Sequence, residues 1–194
     1  RGCRYGVVFF GLGIAETSMW DGLPHQQIGH INVAALLKLV ANLNSLTRFT
    51  ARRMRLQGDV SGADSVMQWQ TSYPFAVDLS RGYPRYNPGE YSANELLGQG
   101  SVDACLFLGA ETVPYFGDAA REQLQSIPTI VIDYPGTTAD FTPTVRITTG
   151  VYGLHAPGTV YRMDNVPVTL RALAPNDLPT DEAVLQAIQA KLLA

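Results

Sequence analysis

With 194 residues, 46% of them hydrophobic and 16% charged, the chain is large enough for a core of its own and slightly poor in charge for a soluble protein. A net charge of −3 and a pI near 5.5 supply no basic field, which argues against nucleic acid as a partner. The longest apolar runs, such as residues 5–12, are far too short to span a bilayer, so no membrane association is expected.

The chain enters almost directly into a strand-like run at residues 5–10, with no charged-then-apolar signal segment. Opening at Arg1 rather than Met raises the expectation of an upstream region. Gly11 and Gly13 follow as a turn, and residues 26–45 read as a helix. Its polar stripe of Lys38, Asn42 and Ser45 is narrow, so the helix should be buried on most sides. Residues 48–56 form a candidate strand with arginines at 48, 52, 53 and 55, and residues 62–70 a short helix. Helices are expected at 91–99 and 118–126, and strands at 102–108, 129–133 and 145–149.

Strands alternating with helices predict an α/β fold: a mainly parallel sheet with helices on both faces and right-handed crossovers. From residue 150 the texture turns to Gly, Pro and Thr, with a β-like run at 159–170. The expected division is a Rossmann-like domain over 1–150 and a β-plus-helix appendage over 151–194, or one continuous domain. In the terminal helix Thr180 is the N-cap, Asp181 and Glu182 lie in the first turn and Lys191 in the last. Val184, Leu185, Ile188 and Leu192 make its apolar stripe.

Most patterns that could carry chemistry fall to simpler readings. The third glycine of a dinucleotide turn is replaced by Glu16, whose carboxylate would oppose a phosphate, so Gly11 and Gly13 read as a structural turn. His25 and His30 are five apart with no glutamate between them, His155 is isolated, and no Gly-x-Ser-x-Gly elbow occurs. Cys3 and Cys105 cannot supply a four-thiolate site on their own. Cys105, in an apolar run, reads as a buried thiol.

Residues 73–90 stand apart. Pro74, Pro84 and Pro88 with Gly82 and Gly89 exclude a long helix or a central strand and predict a rigid loop. That loop presents Tyr73, Arg81, Tyr83, Arg85, Tyr86, Asn87 and Glu90 in fixed directions. Arginine forks suit carboxylate or phosphate, and tyrosines can flank a flat ligand. The competing reading is an arginine–carboxylate lattice that pins the loop or a subunit interface.

The run WQTSYPFAVDLSRGYPRYNPGE at 69–90 resembles the long signature of the formylmethanofuran dehydrogenase B subunit. Gly62-Ala-Asp64 matches as well, and GTVYRMDNVP at 158–167 resembles the family's later Gly-Thr-Ala-Tyr-Arg-Met-Asp segment. The likeness covers nearly the whole chain. It implies a fold like one domain of the molybdopterin oxidoreductases. Full-length members bind a tungsten or molybdenum bis-pterin and a 4Fe–4S cluster, and interconvert carbon dioxide with a formyl group on methanofuran.

Several positions depart from the redox members. There is no cysteine cluster, and neither cysteine sits in a metal-ligand motif. Glu111-Thr112 stands where an Asp-Pro pair is usual, and Ile132-Asp-Tyr134 replaces Ile-Asp-Pro. Thr-Gly-Tyr-Pro has become Thr71-Ser-Tyr-Pro74, adding a side chain where a backbone could have approached a ligand. The chain thus resembles most closely the B subunit of the bacterial formyltransferase/hydrolase complex of methylotrophy. In that complex other subunits hydrolyse the formyl carrier and move the formyl group to or from tetrahydromethanopterin.

The resemblance implies a non-catalytic structural subunit in the cytoplasm, without cofactor or metal, held among the other subunits of that complex. Tyr73, Arg81, Tyr83, Arg85, Asn87, Glu90, Arg162 and Asp164 are then an interface element or a vestigial site. The alternatives are the C-terminal part of a redox-active dehydrogenase, with bis-pterin and cluster held with an upstream region, or a free-standing nucleotide-binding module.

Overall fold

The computed structural model describes residues 2–11, 13–16, 29–54, 59–162 and 164–194. His25, Arg55, Met163 and the start of the expected helix at 26–28 lie outside the described residues. The chain divides into two compact units: residues 1–61 with 161–166, and residues 62–160 with 167–194.

In the first unit β1 (Tyr5–Phe10) and β2 (Arg48–Arg53) pair in parallel, with α1 (Gly13–Glu16) and α2 (Gly29–Leu43) between them. Val7, Val8, Phe9 and Phe10 suit a pleated surface, and the register runs from Tyr5 opposite Arg48 to Phe10 opposite Arg53. Gly6 is buried against its partner; a Cβ there would come within 2.1 Å of the Phe49 ring. Asn44 holds the entry to β2, its amide donating to the Val40 and Phe49 carbonyls at 2.8 Å each. The expectation that this helix is buried on most sides is overturned. Of its residues only Gly29 and Val40 are buried, whereas Ile31, Leu37 and Leu39 are exposed. The reason is that, among the described residues, no second layer covers its outer side.

The second unit carries α4 (Ala93–Gly98), β5 (Cys105–Leu108), α5 (Asp118–Ser126), β6 (Thr129–Asp133) and β7 (Val145–Thr148). Strands β5, β6 and β7 form a three-stranded parallel sheet in that order. Leu97, Ala110, Val113, Ala120, Leu124 and Val131 make its buried core. Phe107 packs there at 6.4 Å from the Phe116 ring and 5.7 Å from Phe141. Asn94 ties the two helices, its Oδ1 accepting the Gly117 N–H at 2.8 Å. Thr129 and Thr144 exchange backbone-to-hydroxyl bonds at 3.0 and 3.1 Å, which satisfies a buried threonine and aligns β6 with β7. Burial raises the Cys105 thiol above its ordinary range, as befits an inert thiol.

The fold is therefore α/β with parallel sheets, as expected. The parallel strands, however, fall into two separate sheets, one per unit, because β1 pairs only with β2 among the described residues. The β-like run at 159–170 is two strands, β8 (Gly158–Tyr161) and β9 (Pro167–Leu170), with a turn between them. The terminal helix α6 (Asp181–Leu192) starts at Thr180, whose Oγ1 accepts the Ala183 N–H at 3.2 Å. Its stripe is half-buried at Val184, Leu185 and Ile188 and exposed at Leu192. Position 150, where the composition shifts, lies inside the second unit. There the Thr149 hydroxyl donates to the Asp181 carboxylate, and the Gly150 N–H donates to the Pro179 carbonyl at 2.8 Å.

Among the described residues no helix is long and apolar enough to cross a membrane.

Candidate functional site

The loop at 73–90 begins at the end of α3 (Val60–Thr71), which Ser72 terminates in the left-handed conformation, φ 71°. Its N–H still donates to the Gln68 carbonyl at 2.9 Å, and Pro74 prevents further helix. Glycine normally occupies such a helix end. The left-handed backbone at Ser72 is therefore a position that a glycine would suit. Replacing Ser72 with glycine should stabilise the protein by about 0.5–1 kcal/mol, the left-handed penalty less the entropy of a glycine. A rise in the urea midpoint of S72G over wild type checks this.

β3 (Val77–Asp78) and β4 (Arg85–Tyr86), each only two residues long, pair antiparallel across the connection at 79–84, with Pro84 and Pro88 bounding β4. The register places Asp78 opposite Arg85, and their side chains form an ion pair, 16% and 24% exposed. Gly82 closes the turn at φ 81°, its N–H donating to the Leu79 carbonyl at 2.9 Å. Above the hairpin Tyr73 stacks on Tyr86 at 4.9 Å, and Phe75 meets Tyr86 edge-on at 5.9 Å.

Arg85 also lies 4.9 Å over the Tyr91 ring. Tyr91 is hydrogen-bonded to Glu90, and the Asn87 amide donates to the Glu90 carboxylate at 2.8 Å. The Asn87 and Tyr91 bonds hold the Glu90 carboxyl below its ordinary range. Burial, with the Glu90 bond, raises the Tyr91 hydroxyl. One continuous network thus joins Asp78, Arg85, Tyr91, Glu90 and Asn87. Asp78 and Tyr91 were absent from the residues singled out by sequence. The signal for Asp78 was its place opposite Arg85 across a glycine turn.

Arg81 and Tyr83 add no ion pair to the network among the described residues, although the Arg81 charge acts on the Tyr91 hydroxyl. They stand exposed at the hairpin tip. Trp69, Phe75 and Leu79 are exposed nearby in sequence, at 69%, 49% and 55%.

Arg162 and Asp164 lie in the other unit, in the turn after β8, and pair with each other. The Arg162 Nε donates to Asp164 Oδ1 at 3.0 Å, and Nη2 closes a second bond to Oδ2. This fork lowers the Asp164 pKa from its ordinary 3.8 to about 2. A depressed carboxylate stabilises the fold above the unfolded value. The contribution should therefore be present above pH 4 and vanish as pH falls from about 4 to about 2. Carboxyl titration by NMR should find Asp164 near 2, and Arg162→Gln should return it towards 3.8.

Glu111 and Tyr134 meet just beyond the carboxyl ends of β5 and β6, where the Tyr134 hydroxyl donates to the Glu111 carboxylate. That bond, with burial second, raises the Tyr134 hydroxyl above its ordinary range. Between them the buried Asp133 accepts the Tyr134 N–H at 2.9 Å and the Ala110 N–H at 3.3 Å. Glu111 and Tyr134, both of which depart from the pattern the sequence resembles, are therefore partners in one contact. Among the described residues no group of three or more His, Cys, Asp or Glu side chains is placed to hold a metal.

No protein-family model matches the chain. Among curated proteins it is 34% identical, over 99% of its length, to the B subunit of the tungsten-containing formylmethanofuran dehydrogenase 2 of Methanocaldococcus jannaschii. It is 31% identical over the same share to the protein of that name from Methanococcus maripaludis. The chain spans 42% and 43% of those two relatives. Among solved structures it is similar to a chain of the formyltransferase/hydrolase complex (FhcABCD) of Methylorubrum extorquens in complex with methylofuran. The TM-score is 0.73 at 25% identity, covering 99% of this chain and 50% of that one.

Proposed function

We propose that the chain, similar over 99% of its length to B subunits of formylmethanofuran dehydrogenase, belongs to that family and is a structural subunit of a formyltransferase/hydrolase complex. The complex would act on a formylated methanofuran-type carrier and tetrahydromethanopterin in the cytoplasm, with hydrolysis and transfer carried out by other subunits. The observation that carries the structural reading is the closure of the loop upon itself. Arg85, Asn87 and Glu90 are all engaged within the chain, and Arg162 is engaged by Asp164. A side chain already committed to a carboxylate is poorly placed to bind a carrier and well placed to stiffen a surface. Exposed Trp69, Tyr83 and Arg81 are residue types that anchor protein interfaces.

The cofactor reading follows from the donor set. A 4Fe–4S cluster takes four thiolates, and this chain holds two cysteines in different units. Cys3 is exposed, and burial keeps the Cys105 thiol protonated. These residues do not fit the cluster. Nor does the contact between Glu111 and Tyr134 favour a pterin where the redox members carry their Asp-Pro pair. We therefore expect neither tungsten nor molybdenum, pterin or cluster on this chain.

One observation favours a second reading, that of a redox-active dehydrogenase: both curated relatives are named as tungsten-containing, at higher identity than the solved structure. Metal analysis of the purified complex separates the two. Formyl transfer and hydrolysis without stoichiometric tungsten or molybdenum supports the structural role. A stoichiometric metal that travels with this chain overturns it.

A further inference from the structure

The sheet of the first unit has two unlike faces. Gly6, Val8 and Phe10 point to one side, where Phe49 covers Gly6 and burial is greatest. Tyr5, Val7 and Phe9 point to the other and are 57%, 41% and 59% exposed. Parallel pairing puts register partners on the same side, so Arg48, Thr50 and Arg52 of β2 flank that apolar row. Neither Arg48 nor Arg52 makes an ion pair among the described residues. Parallel strands that are apolar on both faces occur where both faces are covered, nearly always by helices. One face of β1 lacks that cover within the described residues.

From this we propose that the Tyr5–Val7–Phe9 face is a docking surface for an amphipathic helix of another subunit, with an apolar stripe edged by acidic residues. The inference rests on the reading of this chain as part of a multi-subunit complex. Apolar side chains of the helix pack over Tyr5, Val7 and Phe9. Its carboxylates meet the two guanidinium groups, which disfavour a basic helix in the same place. A six-residue strand runs about 20 Å, which a helix matches with about 13 residues. Arg48 and Arg52 are about 13 Å apart along β2, so their partners fall about two helical turns apart.

The test uses the intact complex, purified with the photo-crosslinking residue p-benzoylphenylalanine in place of Val7. The expected adduct joins position 7 to a helical segment, in a different subunit, that carries Asp or Glu two turns apart. In a second complex, Arg48→Glu with Arg52→Glu should lower retention of that subunit at least tenfold while the chain's circular dichroism is unchanged. Crosslinking to a second copy of this chain, or only within its own polypeptide, overturns the proposal. So does full retention of the subunit by the charge-reversed variant. If the chain co-purifies with the complex yet position 7 reaches no other subunit, this inference falls and the proposed function stands. If it joins no complex, both fall.

Discussion

Replacing Arg85 with alanine is expected to cost the second unit about 2–3 kcal/mol, because it strands the half-buried carboxylate of Asp78 without a counter-charge. Three contacts disappear together: the ion pair to Asp78, the 3.4 Å contact to the Ser80 hydroxyl and the cation–π contact to Tyr91. The bond to the carboxylate that survives comes from the Ser80 N–H, at 2.7 Å. Lysine should rescue little, since a point charge cannot donate to Asp78 and lie flat over Tyr91 at once. The check is a double-mutant cycle in urea with Asp78→Asn. Removal of both partners should cost less than the sum of the single changes. If Arg85→Ala moves the midpoint by less than about 0.5 kcal/mol, the pair is an ordinary surface contact and the closed-network account fails. If the chain is the structural subunit proposed above, the same change should release it from the complex, with formyl transfer and hydrolysis lost only as a consequence. Assembly preserved with weakened carrier binding would instead make the loop a ligand site.

A larger loss is expected in the core. Leu124, 1% exposed on the inner side of α5, packs with Leu97, Val113 and Val131. Leu124→Ala should cost about 3–4 kcal/mol, the lost transfer energy plus the cavity left beneath the sheet. Leu192→Ala, at an 81% exposed position in the last turn of α6, should change stability by less than about 0.5 kcal/mol. Comparing the two by thermal or urea unfolding tests whether the β5–β6–β7 layer is the centre of the second unit. Similar costs at both positions would mean that it is not.

Local signals were legible wherever cause and effect lie close in the sequence. The strands at 5–10 and 129–133 follow from runs of β-branched and aromatic residues, and the N-cap at Thr180 from a hydroxyl three residues before the amide it accepts. That 73–90 holds no helix and only two-residue strands follows from its prolines, whose fixed φ and missing N–H do not depend on surroundings. The family signature was legible in the same way, being a contiguous string.

Pairings across distance were another matter. That β1 joins β2, and so heads a separate sheet, is a choice among competing edges that periodicity does not rank. The contact of Glu111 with Tyr134 spans 23 residues, and the burial of Thr149 and its bond to Asp181 span a change in composition that had marked a boundary. Element types, the proline-broken loop and the family resemblance were readable before any folding, because each depends on neighbours within a few residues. Which charges close on each other, and which apolar faces stay bare, emerged only on packing. Those outcomes depend on desolvation and on partners far away along the chain.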